Sequence, residues 1–79
     1  KQASRSSQEL YLELSKLQEY ERRLLDMVAE KQQILHQYSG QKKRLELQQQ
    51  VLITQQRLGR CRQAISKVEE QIQQLDNRN

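Results

Sequence analysis

The sequence predicts an all-α protein made of a long amphipathic helix that forms a coiled coil or helical bundle by oligomerisation. Three observations favour this class. The 79 residues include no Pro and only two Gly, charged residues make up 30% of the chain, and apolar residues recur at helical spacing. An isolated helix of this kind has an apolar stripe that another helix must cover. We therefore expect a chain with too little apolar bulk for a globular core of its own.

A capping box predicts where the helix begins. Ser6 lies three residues before Glu9, and Leu10 opens the apolar pattern. In such a box the Ser hydroxyl accepts from the Glu amide, and the Glu carboxylate accepts from the Ser amide. The expected division of the chain is an N-terminal flank at 1–6, a coiled-coil helix at 7–76 and a C-terminal flank at 77–79. Because the sequence does not begin with Met, we expect a fragment of a longer protein.

The central stretch HQYSGQKKR allows either a continuous helix or a hairpin. Gly40 could end a first helix, but no good N-cap residue follows it. Lys42, Lys43 and Arg44 would then lie in the first turn of a second helix, where the positive end of the helix dipole disfavours cations. A glycine inside a continuous helix costs only about 1 kcal/mol relative to alanine. These points favour a continuous rod, with an antiparallel hairpin turning near Gly40 as the alternative.

Two heptad zones cover the predicted helix, at 10–52 and 51–75. Their d positions differ by two residues, or about 200° around a helix. This offset predicts a change of face within the stretch LELQQQVLIT. The residues expected at the helix–helix interface are Leu10, Leu14, Leu17, Leu24, Val28, Leu35, Tyr38, Leu45, Leu52, Leu58, Cys61, Ile65, Val68, Ile72 and Leu75.

The first zone has a wider apolar face than a two-stranded seam needs. Its additional apolar residues, which form a possible partner face, are Tyr20, Leu25, Met27 and Ile34. In a parallel dimer Arg57 would face Arg62 of the second copy, which is unfavourable. An antiparallel homo-oligomer or a bundle is therefore favoured over a parallel dimer, and a helical protein partner is an alternative.

Positive charge is concentrated in the middle of the chain. Residues 31–62 carry seven cations and one acidic residue, a net of +6. The cations expected to form a basic patch are Lys42, Lys43, Arg44, Arg57, Arg60 and Arg62. Arg57 to Arg62, followed by heptads, invites comparison with a basic leucine zipper. The Asn and Ala positions of such a basic region are absent, and Gly59 interrupts the would-be recognition helix, so nucleic acid is not expected as the partner.

Metal binding, catalysis and membrane insertion find little support in the sequence. His36 and Cys61 are the only residues of their types, so one chain cannot assemble a His and Cys metal set. We expect His36 on the surface and Cys61 in the helix seam, with no cofactor, no metal and no catalytic site. A lone cysteine fits a reducing, intracellular compartment, cytoplasmic rather than nuclear. No apolar run reaches the ~20 residues of a membrane span.

These observations lead to one main hypothesis and two alternatives. The main hypothesis is a coiled-coil oligomerisation and protein-interaction segment of a larger scaffold or adaptor protein, for example one of the cytoskeleton. The first alternative is a heteromeric module that binds a partner helix. The second is a basic helix that binds nucleic acid through residues 42–62.

Overall fold

The computed structural model describes residues 5–38 and 40–78, which form two antiparallel helices. Helix α1 spans Ser7–Gln37 and helix α2 spans Gln41–Arg78. The two helices pack side by side along an elongated body of 58 × 18 × 16 Å. The all-α prediction is therefore confirmed, and its architecture is a helical hairpin.

Helix α1 begins with the capping box that the sequence predicts. The amide of Glu9 donates to the Ser6 hydroxyl at 3.2 Å, and the amide of Ser6 donates to the Glu9 carboxylate at 3.0 Å. The Leu10 amide also donates to the Ser6 carbonyl at 3.1 Å. The cap satisfies amides that have no partner within the helix and fixes its first residue as Ser7.

The continuous rod is wrong, because α1 ends at Gln37 and α2, which begins at Gln41, runs back along it. The hairpin turning near Gly40, the alternative, is the one that the structure has. Tyr38 leaves the helix with φ −93° and ψ 134°, and the amide of Arg44 donates to the Gly40 carbonyl at 3.0 Å to begin α2. The physical reason lies in Arg44. Its guanidinium donates to the carbonyl of Leu35 at 2.8 Å and to that of Tyr38 at 3.2 Å, so it caps the end of α1. A residue that counted against a turn therefore stabilises it.

The first apolar cluster lies near the middle of the hairpin. Leu24, only 1% exposed, packs with Leu58, Cys61 and Ile65. The two helices approach closely at the small Cys61, whose thiol donates to the Leu17 carbonyl at 3.4 Å. Leu14, Leu17 and Met27 cover this cluster from α1.

The second apolar cluster lies at the open end of the hairpin, where the first turns of α1 meet the last turns of α2. Leu10 packs there with Val68 and Ile72. Arg5 adds a polar tie across the same end, since its guanidinium donates to the Gln71 side chain at 2.8 Å and contacts the Glu13 carboxylate. The middle and the open end of the pairing are thus fixed by contacts between residues far apart in sequence.

The apolar stripe of α2 that faces α1 begins earlier than the sequence predicts. Leu47, Val51 and Thr54 are all buried, and Leu47 lies one heptad before Thr54, so the second register extends back to it. The Thr54 hydroxyl donates to the Gln50 carbonyl at 2.8 Å, which satisfies this polar group inside the interface. The change of face predicted within LELQQQVLIT therefore lies on a single continuous helix.

The structure distributes the predicted interface residues over three environments. Buried are Leu10, Leu24, Leu58, Cys61, Ile65, Val68 and Ile72; half-buried are Leu14, Leu17, Val28, Leu35 and Leu75; exposed are Tyr38, Leu45 and Leu52. Leu45 and Leu52 are exposed because they continue the register of α1 past the turn. On α2 the residues in that register face away from α1, whereas Leu47 and the residues in its register face toward α1. Neither described helix is long and apolar enough to cross a membrane.

Candidate nucleic-acid interface

The cations of the predicted basic patch fall into two groups: those whose side chains bond to another part of the fold, and those without such a contact among the described residues. Arg44 belongs to the first group, since its guanidinium caps α1. Arg62 belongs there too, because its guanidinium donates to the Glu21 carboxylate across the interface at 2.9 Å. Both cations therefore stabilise the hairpin and are poor candidates for binding a ligand.

The other four cations of the patch are exposed on α2. Lys42 and Lys43 lie in its first turn, and Arg57 and Arg60 lie about four turns further along. Among the residues that the structure describes, none of the four has an acidic group within ion-pair distance. We name Lys42, Lys43, Arg57 and Arg60 the α2 basic track.

The geometry of a helix aligns the two ends of this track. Lys42 and Arg60 are 18 residues apart, which is five full turns of an α-helix, so they lie on one line along its surface. The same separation corresponds to roughly 27 Å at 1.5 Å per residue. One strand of DNA in the B-form carries a phosphate every ~3.4 Å. The length of the track thus corresponds to roughly eight base-pair steps along the axis of a B-form duplex.

Two arginines of α1 are paired with carboxylates, unlike the cations of the track. Arg22 pairs with Glu19 at 2.6 Å and with Asp26 at 3.2 Å, and Arg23 pairs with Glu19 at 3.5 Å. The hydrogen bond from Arg22 holds the pKa of the Glu19 carboxyl below its usual value, and the same contact raises the pKa of Arg22. These arginines face carboxylates of their own helix, so their charge is largely neutralised locally.

The hairpin consequently has a basic half and a slightly acidic half. Residues 21–60, around the turn, carry eight cations and four acidic residues, a net of +4. Residues 5–20 and 61–78, at the open end, carry five cations and six acidic residues, a net of −1. An anionic partner is therefore attracted to the turn and to the adjoining part of α2.

The possible partner face is not one surface in the structure. Tyr20, Met27 and Ile34 follow one another at steps of seven residues and share a side of α1, whereas Leu25 lies about 160° from Met27. Tyr20 and Leu25 are 41% and 42% exposed. Met27 and Ile34 are half-buried, and Met27 packs against the first apolar cluster. The fold therefore uses part of this face itself.

Two single residues take the environments that the sequence predicts. His36 is exposed in the last turn of α1, and Cys61 is buried. Burial raises the pKa of the Cys61 thiol, the Glu21 carboxylate raises it further, and Arg62 opposes the shift. Within residues 5–38 and 40–78 no three His, Cys, Asp or Glu side chains are grouped to hold a metal ion.

Comparison with protein families gives a match over almost the whole sequence. The model of the family described as primosomal replication protein priC matches residues 1–76. The chain belongs to the PriC family. Searches of curated proteins and of solved structures found no match.

Membership of the PriC family overturns the main functional hypothesis. The prediction of a scaffold or adaptor segment, including a cytoskeletal one, is wrong, because the family description names a protein of DNA replication. The alternative that this description supports better is the basic helix that binds nucleic acid through residues 42–62. The comparison with a basic leucine zipper argued against DNA binding, but it considered only a helix in the major groove. It did not consider a hairpin that carries exposed cations on one helix.

Sequence reasoning also missed three features of the site. Leu47 could have been found by stepping one heptad back from Thr54. The division of the basic patch into bonded and free cations could not have been found from the sequence, because it depends on contacts of Arg44 and Arg62 with α1. Tyr38 was assigned to the helix interface, yet it is 46% exposed at the turn.

Proposed function

We propose that this chain binds DNA through the α2 basic track and so contributes to the primosomal role that its family description names. One observation carries the proposal. The four cations of the track are exposed without an acidic partner among the described residues, whereas the neighbouring Arg22, Arg23 and Arg62 are all paired. Exposed cations that no carboxylate of the protein neutralises commonly contact the phosphates of a nucleic acid.

The proposed role is binding rather than catalysis. The described surface offers cations and an exposed aromatic ring at the turn, which suit the phosphates and bases of DNA. The protein would act in whichever compartment holds the DNA being replicated.

Salt-dependent DNA binding by the 79-residue chain tests this proposal. Binding of a fluorescently labelled oligonucleotide would be followed by anisotropy at several salt concentrations. A contact from each of the four track cations predicts a slope of log K against log salt of about −3 to −4, from 0.7 to 0.9 per phosphate. The variant with Lys42, Lys43, Arg57 and Arg60 all changed to Gln should lose most of this slope.

A matched control separates the track from general positive charge. Lys16 is an exposed cation on α1, in the open half of the hairpin, and Lys16→Gln should leave the slope within experimental error. Circular dichroism would confirm that both variants remain helical. The proposal fails if the wild-type chain does not bind DNA at low salt, or if the fourfold variant and Lys16→Gln behave alike.

A further inference from the structure

Helix α2 carries a second series of heptad positions on the side that faces away from α1. The series advances by alternating steps of four and three residues, and it contains no charged residue over about six turns, although charged residues make up 30% of the chain. Its members are all exposed. An uncharged stripe with this spacing is the pattern by which one helix packs against another. We name these residues the α2 outer seam: Leu45, Gln49, Leu52, Gln56, Gly59, Gln63 and Ser66.

The large apolar side chains that α2 exposes lie on this seam or at its edge. Leu45 and Leu52, on the seam, are 55% and 56% exposed, and Ile53, at the edge, is 55% exposed. Gly59, one heptad after Leu52, has nothing within 4 Å of the position that a Cβ would take. The seam therefore combines apolar surface that water does not favour with open space beside it.

One edge of the seam carries two charges that have no partner in their own chain. Glu46 lies seven residues before Ile53 and Arg60 lies seven residues after it, and both are exposed. Among the described residues neither forms an ion pair. They are 14 residues apart, roughly 21 Å along the helix, so they cannot pair with each other within one copy.

The order of these charges makes the edge complementary to itself. When two copies of a helix pair antiparallel about a two-fold axis, each edge faces the same edge of the other copy. With Ile53 opposite Ile53 of a second copy, Glu46 of each copy lies opposite Arg60 of the other. The same alignment places Leu45 beside the open space at Gly59 of the second copy, and it brings the two Leu52 side chains together at the axis.

A parallel pairing through the seam lacks this complementarity. Arg62 would then face Lys67 of the second copy, and like charges at these flanking positions repel. In register, Gly59 would also face Gly59, which leaves a gap where the antiparallel pairing places Leu45. The surface therefore fits a second copy in one direction only.

From these features we infer that two copies of the chain associate antiparallel through the α2 outer seam, with the two α1 helices on the outside of the assembly. Each copy contributes only three large apolar side chains, so the dimer should be weak, with a Kd on the order of 0.1 mM. The inference does not rest on DNA binding. Arg60 also belongs to the α2 basic track, so DNA and the second copy would compete for this cation, while the other three stay free.

Sedimentation equilibrium of the 79-residue chain tests the inference. Between about 10 µM and 1 mM, a range that brackets the expected Kd, the average mass should rise from 9.5 kDa toward twice that value. Leu52→Glu places two carboxylates together at the axis and should abolish the rise. Circular dichroism would confirm that each variant remains helical.

A charge exchange tests the direction of the pairing. Glu46→Arg places a cation opposite Arg60 at two points of the dimer and should weaken association by roughly 2- to 30-fold. Adding Arg60→Glu reverses both pairs and should restore the wild-type Kd. The matched control is Glu30→Arg, which makes the same change of net charge at an exposed position of α1 and should associate as the wild type does.

Three results would overturn the inference. The first is a chain that stays monomeric at about 1 mM, ten times the expected Kd. The second is association that Leu52→Glu does not weaken, since the contact would then lie on another face. The third is weakening by Glu46→Arg that Arg60→Glu does not reverse. Because no DNA is present, none of these results bears on the basic track, which its fourfold Gln variant tests separately.

Discussion

Replacing Arg44 with Ala should destabilise the hairpin although it removes a cation from an unfavourable position. The substitution deletes two hydrogen bonds, to the Leu35 carbonyl at 2.8 Å and the Tyr38 carbonyl at 3.2 Å. A typical hydrogen bond contributes about 0.5 to 1.5 kcal/mol net. Because Arg44 is half-buried, water can partly replace the lost donor. We therefore expect the free energy of unfolding to fall by about 1 to 2 kcal/mol, or roughly 4 to 16 °C in Tm for a chain of this size.

Lys43, beside Arg44, provides a comparison that separates the capping contact from the effect of removing a positive charge. It is exposed in the same first turn and takes part in no hydrogen bond or ion pair among the described residues. Lys43→Ala should therefore relieve the repulsion from the helix dipole and raise stability by about 0.3 to 1 kcal/mol. Thermal unfolding followed by circular dichroism at 222 nm would measure both variants. If Arg44→Ala melts at or above the wild-type temperature, Arg44 does not cap α1 and the explanation of the turn is wrong.

Four further predictions concern single positions. A Cβ at Gly59 would meet nothing within 4 Å, so Gly59→Ala should raise the free energy of unfolding in urea by about 0.5 to 1 kcal/mol, and any decrease would contradict the open space seen there. Leu24→Ala should lower the free energy of unfolding by about 2 to 5 kcal/mol, because this residue is 1% exposed. Leu25→Ala, at a position 42% exposed, should lower it by less than about 1 kcal/mol. The pKa of the Cys61 thiol is raised in the fold, so the protonated thiol contributes its full stabilisation below the ordinary thiol pKa of about 8.5 and loses it as pH rises further. Unfolding in urea, measured over a range of pH, should show this loss in the wild type and not in Cys61→Val. Gly40→Asp places a capping carboxylate before α2, where a Cβ again has open space, and should raise Tm while weakening DNA binding; an unchanged DNA affinity would count against the turn as a binding point.

Much of the local structure could be predicted from the sequence, because it depends on neighbouring residues. The capping box of Ser6 and Glu9 lies within four residues, and the stripe from Leu58 to Ile72 repeats at fixed intervals. The hairpin turning near Gly40 was ranked below the continuous rod because only the effect of the helix dipole on the cations was considered. It is the contact of Arg44 with the Leu35 carbonyl, across nine residues of chain, that changes the sign of its contribution.

The functional surface was harder to predict for a related reason. Counting charges placed most of the positive charge within residues 31–62 but could not show which cations bond to other parts of the fold. Arg62 meets Glu21 only because α1 and α2 are antiparallel. Nor could charge alone distinguish a solvated helix from a contact with DNA, and it was the family match that reversed the order of the hypotheses.

The antiparallel pairing also has a consequence for how the chain folds. The contact between Arg44 and Leu35 closes a loop of nine residues, whereas the contact between Arg5 and Gln71 closes one of 66. Closing the longer loop costs about 2 kcal/mol more in entropy than closing the shorter one. Pairing of the two helices should therefore start at the turn and proceed toward the open end. Substitutions near Arg44 should then slow folding, while substitutions in the cluster of Leu10, Val68 and Ile72 should mainly speed unfolding. The proposed DNA-binding end would be the first part of the molecule to form and the last to come apart.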